Sequence, residues 1–280
     1  MTTKSRLDQH LVSLGLATSR QQAQQLIRAG RVRDASGTLL DKPGHAVAAD
    51  LVPRVEQPPR YVSRGGEKLA AALAAFPIAL DERICLDGGI STGGFSDCLL
   101  QGGAARVYGI DVGYGQTAWS LRTDERLVLR ERTNLRHLQP EDLYGPADPW
   151  PDLAVADVSF ISLVLVLPAL GRLLAPGAAE AVLLVKPQFE VGRERVGKGG
   201  VVRDPAAHVD AIAAVLTAAE ALGWQGQGVV ASPITGPAGN HEYLLWIQRR
   251  GAAPGPLSSE AGAADLSRPV LDALVRDTLS

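Results

Sequence analysis

The sequence of 280 residues predicts an α/β fold. A mostly parallel sheet, covered by helices on both faces and carrying an antiparallel strand at one edge, should follow a small α+β module. Three observations carry that expectation. Beyond residue 60, short apolar runs alternate with stretches of helical periodicity, which is how helices come to cover a parallel sheet. Between the apolar run Arg83-Ile84-Cys85-Leu86 and the helix-like Phe95 to Leu100 lies a glycine-packed turn, Asp87-Gly88-Gly89-Ile90-Ser91-Thr92-Gly93-Gly94. Charge is also uneven: residues 1–60 carry nine Lys and Arg against five Asp and Glu, whereas residues 61–250 carry seventeen against twenty-one. A basic module ahead of a mildly acidic body suits a front piece that meets an anion such as nucleic acid.

In the module, residues 1–60, Leu7, Leu11 and Leu14 recur at helical spacing until Gly15 stops the run. Thr18 or Ser19 can cap a second helix through Arg20 to Ala29, with Ala23, Leu26 and Ile27 inward and Gly30 at its end. A short β segment follows, and residues 53–60 form a proline-rich, semi-rigid linker. The body, 61–250, predicts helix 66–76, strand 84–87, helix 95–100 and strand 107–111. Strands 127–129 and 153–157, helix 163–174, strand 181–186 and helix 206–222 come next. Two final strands, 228–231 and 242–248, are joined without a helix and predict the antiparallel pair. In the tail, 251–280, Ala, Gly, Pro and Ser through residue 264 predict a flexible segment. Val270, Leu271, Leu274, Val275 and Leu279 then mark one face of a short helix, whose docking partner the pattern leaves open.

The glycine turn lets the backbone approach a ligand, and the helix start after it offers unpaired N–H groups. Such turns hold nucleotide-like cofactors at the carboxyl ends of parallel strands. Asp111, ending the next apolar run Val107-Tyr108-Gly109-Ile110, is placed to accept hydrogen bonds from both hydroxyls of a ribose. Two further strands end in charge: Leu153 to Ala156 delivers Asp157, and Ala181 to Val185 delivers Lys186. Opposite charges at the ends of neighbouring strands are a candidate site, with a structural ion pair as the alternative.

Around these positions the chain resembles the FtsJ/RrmJ-type ribose 2'-O-methyltransferases, which use a Lys-Asp-Lys-Glu tetrad and S-adenosylmethionine. Ser63-Arg64-Gly65-Gly66-Glu67-Lys68-Leu69 is similar to the first lysine's segment and Asp157-Val158-Ser159-Phe160-Ile161-Ser162 to the aspartate's. Val185-Lys186-Pro187-Gln188-Phe189-Glu190 is similar to the second lysine's, and Asn240-His241-Glu242-Tyr243 to the glutamate's. In the front module, Arg6-Leu7-Asp8, Ser19-Arg20-x-x-Ala23-x-x-Leu26-Ile27-x-x-Gly30-x-Val32 and Lys42-Pro43 resemble the S4 RNA-binding domain. It departs from that pattern at Arg33-Asp34-Ala35-Ser36-Gly37, where a tighter turn is usual. With Gly197-Lys198-Gly199-Gly200 after the second lysine, the whole resembles the TlyA family, whose members often carry a hemolysin A label.

That resemblance implies a Rossmann-like class I methyltransferase sheet and 2'-O-methylation of cytidines in ribosomal RNA, with ribosomal RNA or ribosomal subunits as partners. It implies catalytic roles for Lys68, Asp157, Lys186 and Glu242. Asp87, Gly89, Ser91, Gly93, Gly94, Phe95, Asp111, Asn134 and Asp157 would contact S-adenosylmethionine. Arg6, Arg20, Arg28, Arg31 and Arg33 are candidate phosphate contacts, as are Arg193, Arg195 and Lys198 in a glycine-rich loop read as mobile. Lys186 can act as a neutral general base or as a charged hydrogen-bond donor; both stay open at this level.

Two cysteines, Cys85 and Cys98, read as buried hydrophobes rather than a disulfide, in keeping with a cytoplasmic protein. Five scattered histidines and no Cys-x-x-Cys predict no metal site. No signal-like run follows Lys4 and Arg6, and Ile161 to Leu174, interrupted by Pro168, Gly171 and Arg172, is too short for a membrane span. A dehydrogenase would use the same turn but leaves the basic module and the Lys186–Asp157 pair without a role. The P-loop pattern is absent. A non-catalytic ribosome-assembly factor, and a hemolysin as the family label suggests, are the other readings.

Overall fold

A computed structural model describes residues 4–56, 59–250 and 264–280. Residues 251–263 of the segment expected to be flexible, 251–264, and residues 57–58 of the expected linker lie outside the described residues. The chain divides into two units, Met1–Pro59 and Arg60–Ser280.

In the first unit, β1 (Lys4–Arg6) pairs antiparallel with β3 (Ala46–Ala48), and β2 (Val32–Arg33) with β4 (Arg54–Val55). Helices α1 (Leu7–Ser13) and α2 (Arg20–Arg28) pack through Leu7, Leu11, Ala23 and Ile27, all with no exposed surface. Ser19 supplies the cap: its side chain accepts the amide hydrogen of Gln22, which satisfies one of the free donors at the start of α2. Leu14, expected inside, is instead 47% exposed. The helix ends at Ser13, so the periodicity that would turn Leu14 inward stops one residue too early. Asp8, in the first turn of α1, is wholly buried and binds Arg6 and Arg20, each at 3.0 Å. Arg6 foremost holds its carboxyl well below the usual carboxylate range.

The second unit is built on one seven-stranded sheet. Its strands are β5 (Ile84–Gly88), β6 (Arg106–Ile110), β7 (Leu127–Arg130), β8 (Leu153–Ala156), β9 (Ala179–Val185), β10 (Gln225–Ala231) and β11 (Tyr243–Arg249). Their order is β10-β11-β9-β8-β5-β6-β7. The five strands from β9 to β7 are parallel; β11 runs antiparallel to both β9 and β10, so the reversed strand sits one place in from the edge.

Side chains alternate between two apolar layers because each sheet face is covered. On one face, α7 (Leu163–Leu173), α9 (Pro205–Glu220) and α10 (Arg268–Leu279) pack on Leu86, Ala154, Leu183 and Tyr243. On the other, α3 (Gly65–Ala75) and α4 (Gly94–Gln101) pack on Cys85, Val155, Val182 and Leu244. Both cysteines are buried and unbridged. Short helices α5 (Trp119–Arg122), α6 (Pro140–Leu143) and α8 (Pro187–Glu190) fill connections. The tail helix α10 docks on the body: Leu271 and Val275 are buried, and Arg268 pairs with Asp210 of α9 at 2.8 Å.

One topological fact positions everything that follows. The chain runs outward from β5 through β6 to β7, then crosses back to place β8 on the other flank of β5. The loops leaving β5 and β8 therefore diverge, and a crevice opens between their carboxyl ends.

Candidate active site

The turn after β5 begins with Gly89 at φ +87°, where a Cβ would lie 2.8 Å from the Asp157 carbonyl oxygen. Only glycine allows the turn to press this closely on the end of β8. The contact is stitched: Gly89 N–H donates to the Ile110 carbonyl at 2.8 Å and Asp157 N–H to the Gly88 carbonyl at 3.0 Å. The ends of β5, β6 and β8 are thus one surface. At Gly94 a Cβ would lie 2.3 Å from Ser63 Oγ and 2.8 Å from the Gly66 nitrogen, so α3 and α4 meet start to start through glycines.

Two adjoining cavities sit on this surface. The first, about 500 Å³, is lined by Asp111, Gln116, Thr133, Asn134 and Arg136 and by apolar Ile110, Val112, Leu135, Ile161 and Val166. The second, about 440 Å³, is lined by Ser63, Arg64, Lys68, Phe95, Asp157, Lys186, Pro237 and Glu242. Gly89, Ser91, Asp157 and Ser159 border both.

All four polar residues singled out from the sequence therefore line the second cavity, brought there from α3, β8, β9 and β11. They form two ion pairs. Lys68 Nζ donates to Glu242 Oε2, with both side chains buried. Lys186 Nζ lies 2.6 Å from Asp157 Oδ1 and donates to Ser159 Oγ at 2.7 Å. Ser159 lies within the segment similar to the aspartate's, and its only local signal in the sequence is a hydroxyl two residues past a charged strand end. Arg64, Gln116 and Arg136 were likewise missed, since nothing in their spacing distinguishes them from surface residues.

Asp111 is held by two amides, from Ser91 at 2.7 Å and Gly113 at 2.6 Å, one on each carboxylate oxygen. Further lone pairs on both oxygens remain for a ligand. Asn134 lines the same cavity, its side-chain oxygen accepting from Arg136 N–H at 3.0 Å. Ser91, Gly94 and Phe95 also line a cavity, whereas Asp87 and Gly93 line neither. Asp87, expected among the cofactor contacts, has one buried carboxylate oxygen, Oδ1, without a hydrogen-bond partner among the described residues. Its carboxyl is fully buried, accepts from Ser96 Oγ at 2.6 Å, and is pushed up to about 7 by burial. Gly93, at φ +100°, shapes the turn, since a Cβ there would strike Leu121.

The candidate RNA contacts divide. Arg28 is exposed and Arg31 half-buried, but Arg6 and Arg20 are engaged by Asp8, and Arg33 by Glu56 at 2.7 Å. Arg193 and Lys198 are exposed; Arg195 instead binds Asp204 at 2.9 Å and Asp210 at 2.7 Å, which commits it to α9. The loop read as mobile is anchored at its far end. Asn240 donates to the Gly200 carbonyl at 2.8 Å and accepts from Val202 N–H at 2.9 Å, tying the loop to the entry of β11. Among the described residues no group of three or more His, Cys, Asp or Glu could hold a metal ion. No helix among them is long and apolar enough to cross a membrane.

The family model for FtsJ-like methyltransferases matches residues 61–249, and that for the S4 domain matches residues 5–33. The chain belongs to the FtsJ-like methyltransferase family, with an S4 domain at its front. Within it the chain is of the TlyA kind. It is 52% identical over 250 residues to the 16S/23S rRNA (cytidine-2'-O)-methyltransferase TlyA of Mycobacterium tuberculosis, covering 89% of this chain and 91% of that protein. It is 39% identical over 239 residues to Hemolysin A of Brachyspira hyodysenteriae, covering 85% and 98% respectively. A solved structure from Streptococcus thermophilus that carries a hemolysin label shares 37% identity at a TM-score of 0.70, covering 99% of this chain and 96% of that one. The chain is a methyltransferase, and its methyl donor is S-adenosylmethionine. The first cavity fits that group: apolar walls suit an adenine, Asp111 keeps acceptor capacity for ribose hydroxyls, and Asp157 sets a carboxylate where the two cavities meet.

Proposed function

We propose that this protein methylates the ribose 2'-oxygen of cytidine in ribosomal RNA, and that Lys68, Asp157, Lys186 and Glu242 perform the chemistry. The observation that carries the reading is the convergence of all four on one cavity that shares a wall with the cavity beside Asp111. The curated TlyA relative from Mycobacterium tuberculosis, whose printed activity is of this kind, supports the choice of substrate. Such a substrate puts the enzyme in the cytoplasm, on ribosomal RNA or a ribosomal subunit.

When bound, S-adenosylmethionine supplies a methyl group on a positively charged sulfur. The residues of the chain do the rest. Asp111, Asn134 and the Gly89–Ser91 turn hold the donor, and Asp157 offers negative charge beside the sulfonium. The Lys68–Glu242 pair forms a buried polar floor. Lys186, anchored by Asp157, offers an N–H to the attacking 2'-oxygen and orients it toward the methyl carbon; as the oxygen–carbon bond forms and the carbon–sulfur bond breaks, the hydroxyl proton passes to the Asp157 carboxylate or to solvent. Of the two roles open from the sequence, the charged hydrogen-bond donor fits better, because Nζ forms an ion pair with the Asp157 carboxylate and donates to the Ser159 hydroxyl. Much of the acceleration then comes from alignment of oxygen, carbon and sulfur. Phe160, 92% exposed beside this site, offers a face on which an unstacked base can rest.

The test is transfer of a labelled methyl group to ribosomal RNA, with 2'-O-methyl positions mapped, for the parent and Lys186→Ala. Loss of transfer with donor binding intact is expected. Retained transfer removes Lys186 from its role, and no transfer by the parent on any ribosomal RNA substrate ends the reading. Lysis of erythrocytes by the purified protein, measured in parallel, separates the hemolysin reading from this one.

A further inference from the structure

A charged lysine has three N–H groups. On Lys186 one is donated to Ser159 Oγ at 2.7 Å, while Asp157 Oδ1 lies 2.6 Å from Nζ as its ion-pair partner. Rotation about the Cε–Nζ bond is the ammonium's own torsional freedom, so one fixed acceptor sets where the remaining N–H groups point. An ion pair alone holds the charge in place without fixing that rotation. Ser159 is exposed and stands in the wall common to both cavities, where attacking oxygen and methyl carbon must meet.

We infer that Ser159 is a positioning residue for methyl transfer: its hydroxyl sets the direction of the Lys186 ammonium, so that a remaining N–H faces the attacking ribose oxygen. The inference rests on the proposed role of Lys186. The loop that carries Ser159 is built to hold it. At one end Asp157 N–H is bound to Gly88. At the other, Glu190 accepts from Ser162 Oγ at 2.6 Å and from Leu163 N–H at 2.9 Å. Glu190 belongs to α8, the turn that starts at Lys186, so lysine and serine are referenced to one another from both sides. Between them Phe160 adopts φ +64°, uncommon for a bulky side chain, and its ring lies 5.3 Å from that of Phe189. Backbone strain of this kind persists only where its surroundings enforce it.

The experiment uses the full chain, S-adenosylmethionine and ribosomal RNA, comparing Ser159→Ala, Ser159→Thr and Lys186→Ala. Ser159→Ala should lower kcat by roughly 10- to 100-fold, with KM for RNA and the donor Kd changed by less than about threefold. Its unfolding midpoint should stay at the parent's. Ser159→Thr, which keeps an acceptor oxygen, should recover most of the rate. A Ser159→Ala variant with parental kcat, or one changed only in KM, overturns the inference while an inactive Lys186→Ala leaves the tetrad reading standing. A threonine variant as slow as the alanine variant overturns it too. An active Lys186→Ala removes both.

Discussion

Ser96 Oγ donates to the carboxyl group of Asp87 across 2.6 Å, and neither residue has any exposed surface. Burial raises Asp87 to about 7, whereas an aspartate in an unfolded chain loses its proton near ~3.9. Between those values the folded protein binds more protons than the unfolded one, so stability should fall as pH rises from about 4 to 7 and level off above. Asp87→Asn keeps an acceptor for Ser96 and cannot ionise. The variant should gain on the parent across that window, by up to about 4 kcal/mol at pH 8. Urea unfolding of the donor-free protein at pH 4.5, 6 and 8 checks this; a parent curve parallel to the variant's refutes it.

Lys68 and Glu242 are a buried pair whose value for stability and for catalysis can be separated. Lys68→Met or Glu242→Leu alone leaves a buried charge without its partner and should cost about 3–5 kcal/mol. The double variant should regain much of that loss and remain inactive. Chemical unfolding with a methyl-transfer assay on all three proteins reads both effects. Activity in the double variant would relegate the pair to scaffolding.

Gly94→Ala should be more damaging than its one added carbon suggests. The new Cβ meets the backbone nitrogen of Gly66 at 2.8 Å, which a rotamer change cannot relieve. Moving α3 away from α4 shifts Lys68 as well. A stability loss of roughly 1–3 kcal/mol is expected, together with a fall in kcat measured well below the melting temperature. An unaltered kcat would mean that α3 tolerates displacement.

In the S4 domain, Asp8→Ala should release Arg6 and Arg20 from a shared anchor. It should destabilise the unit by about 1–3 kcal/mol and weaken RNA binding, since the arginines lose their set directions. Arg28→Ala should weaken RNA binding with little effect on melting and reduce the salt slope of log K by about 1. Filter-binding titrations at several salt concentrations decide both; an unchanged slope takes Arg28 off the RNA.

Much of the fold was legible because it is local. The runs around Leu86, Val155 and Leu183 are apolar without alternation, which marks strands covered on both faces, and each appeared within two residues of its expected bounds. The charges at Asp111, Asp157 and Lys186 stood out because they end such runs. The surroundings of Asp87 and Arg195 were not legible in the sequence, for a common reason. Each is a charged residue in a motif, and whether it faces a ligand or a neighbour depends on what other segments bring near it: Ser96 in one case, Asp204 and Asp210 in the other.

By itself the sequence determined the strands, the glycine turn and the charges of Asp157 and Lys186 at strand ends, since periodicity and residue type are properties of short segments; Lys68 and Glu242 stood out only through the resemblance of their segments to a known family. Tertiary structure alone decided the strand order, the docking of α10, and the pairing of Lys68 with Glu242, and it turned the expected neighbourhood of Lys186 and Asp157 into an ion pair. Those partners are far apart along the chain. They meet because packing of two apolar layers on one twisted sheet leaves their strands and helices a single arrangement.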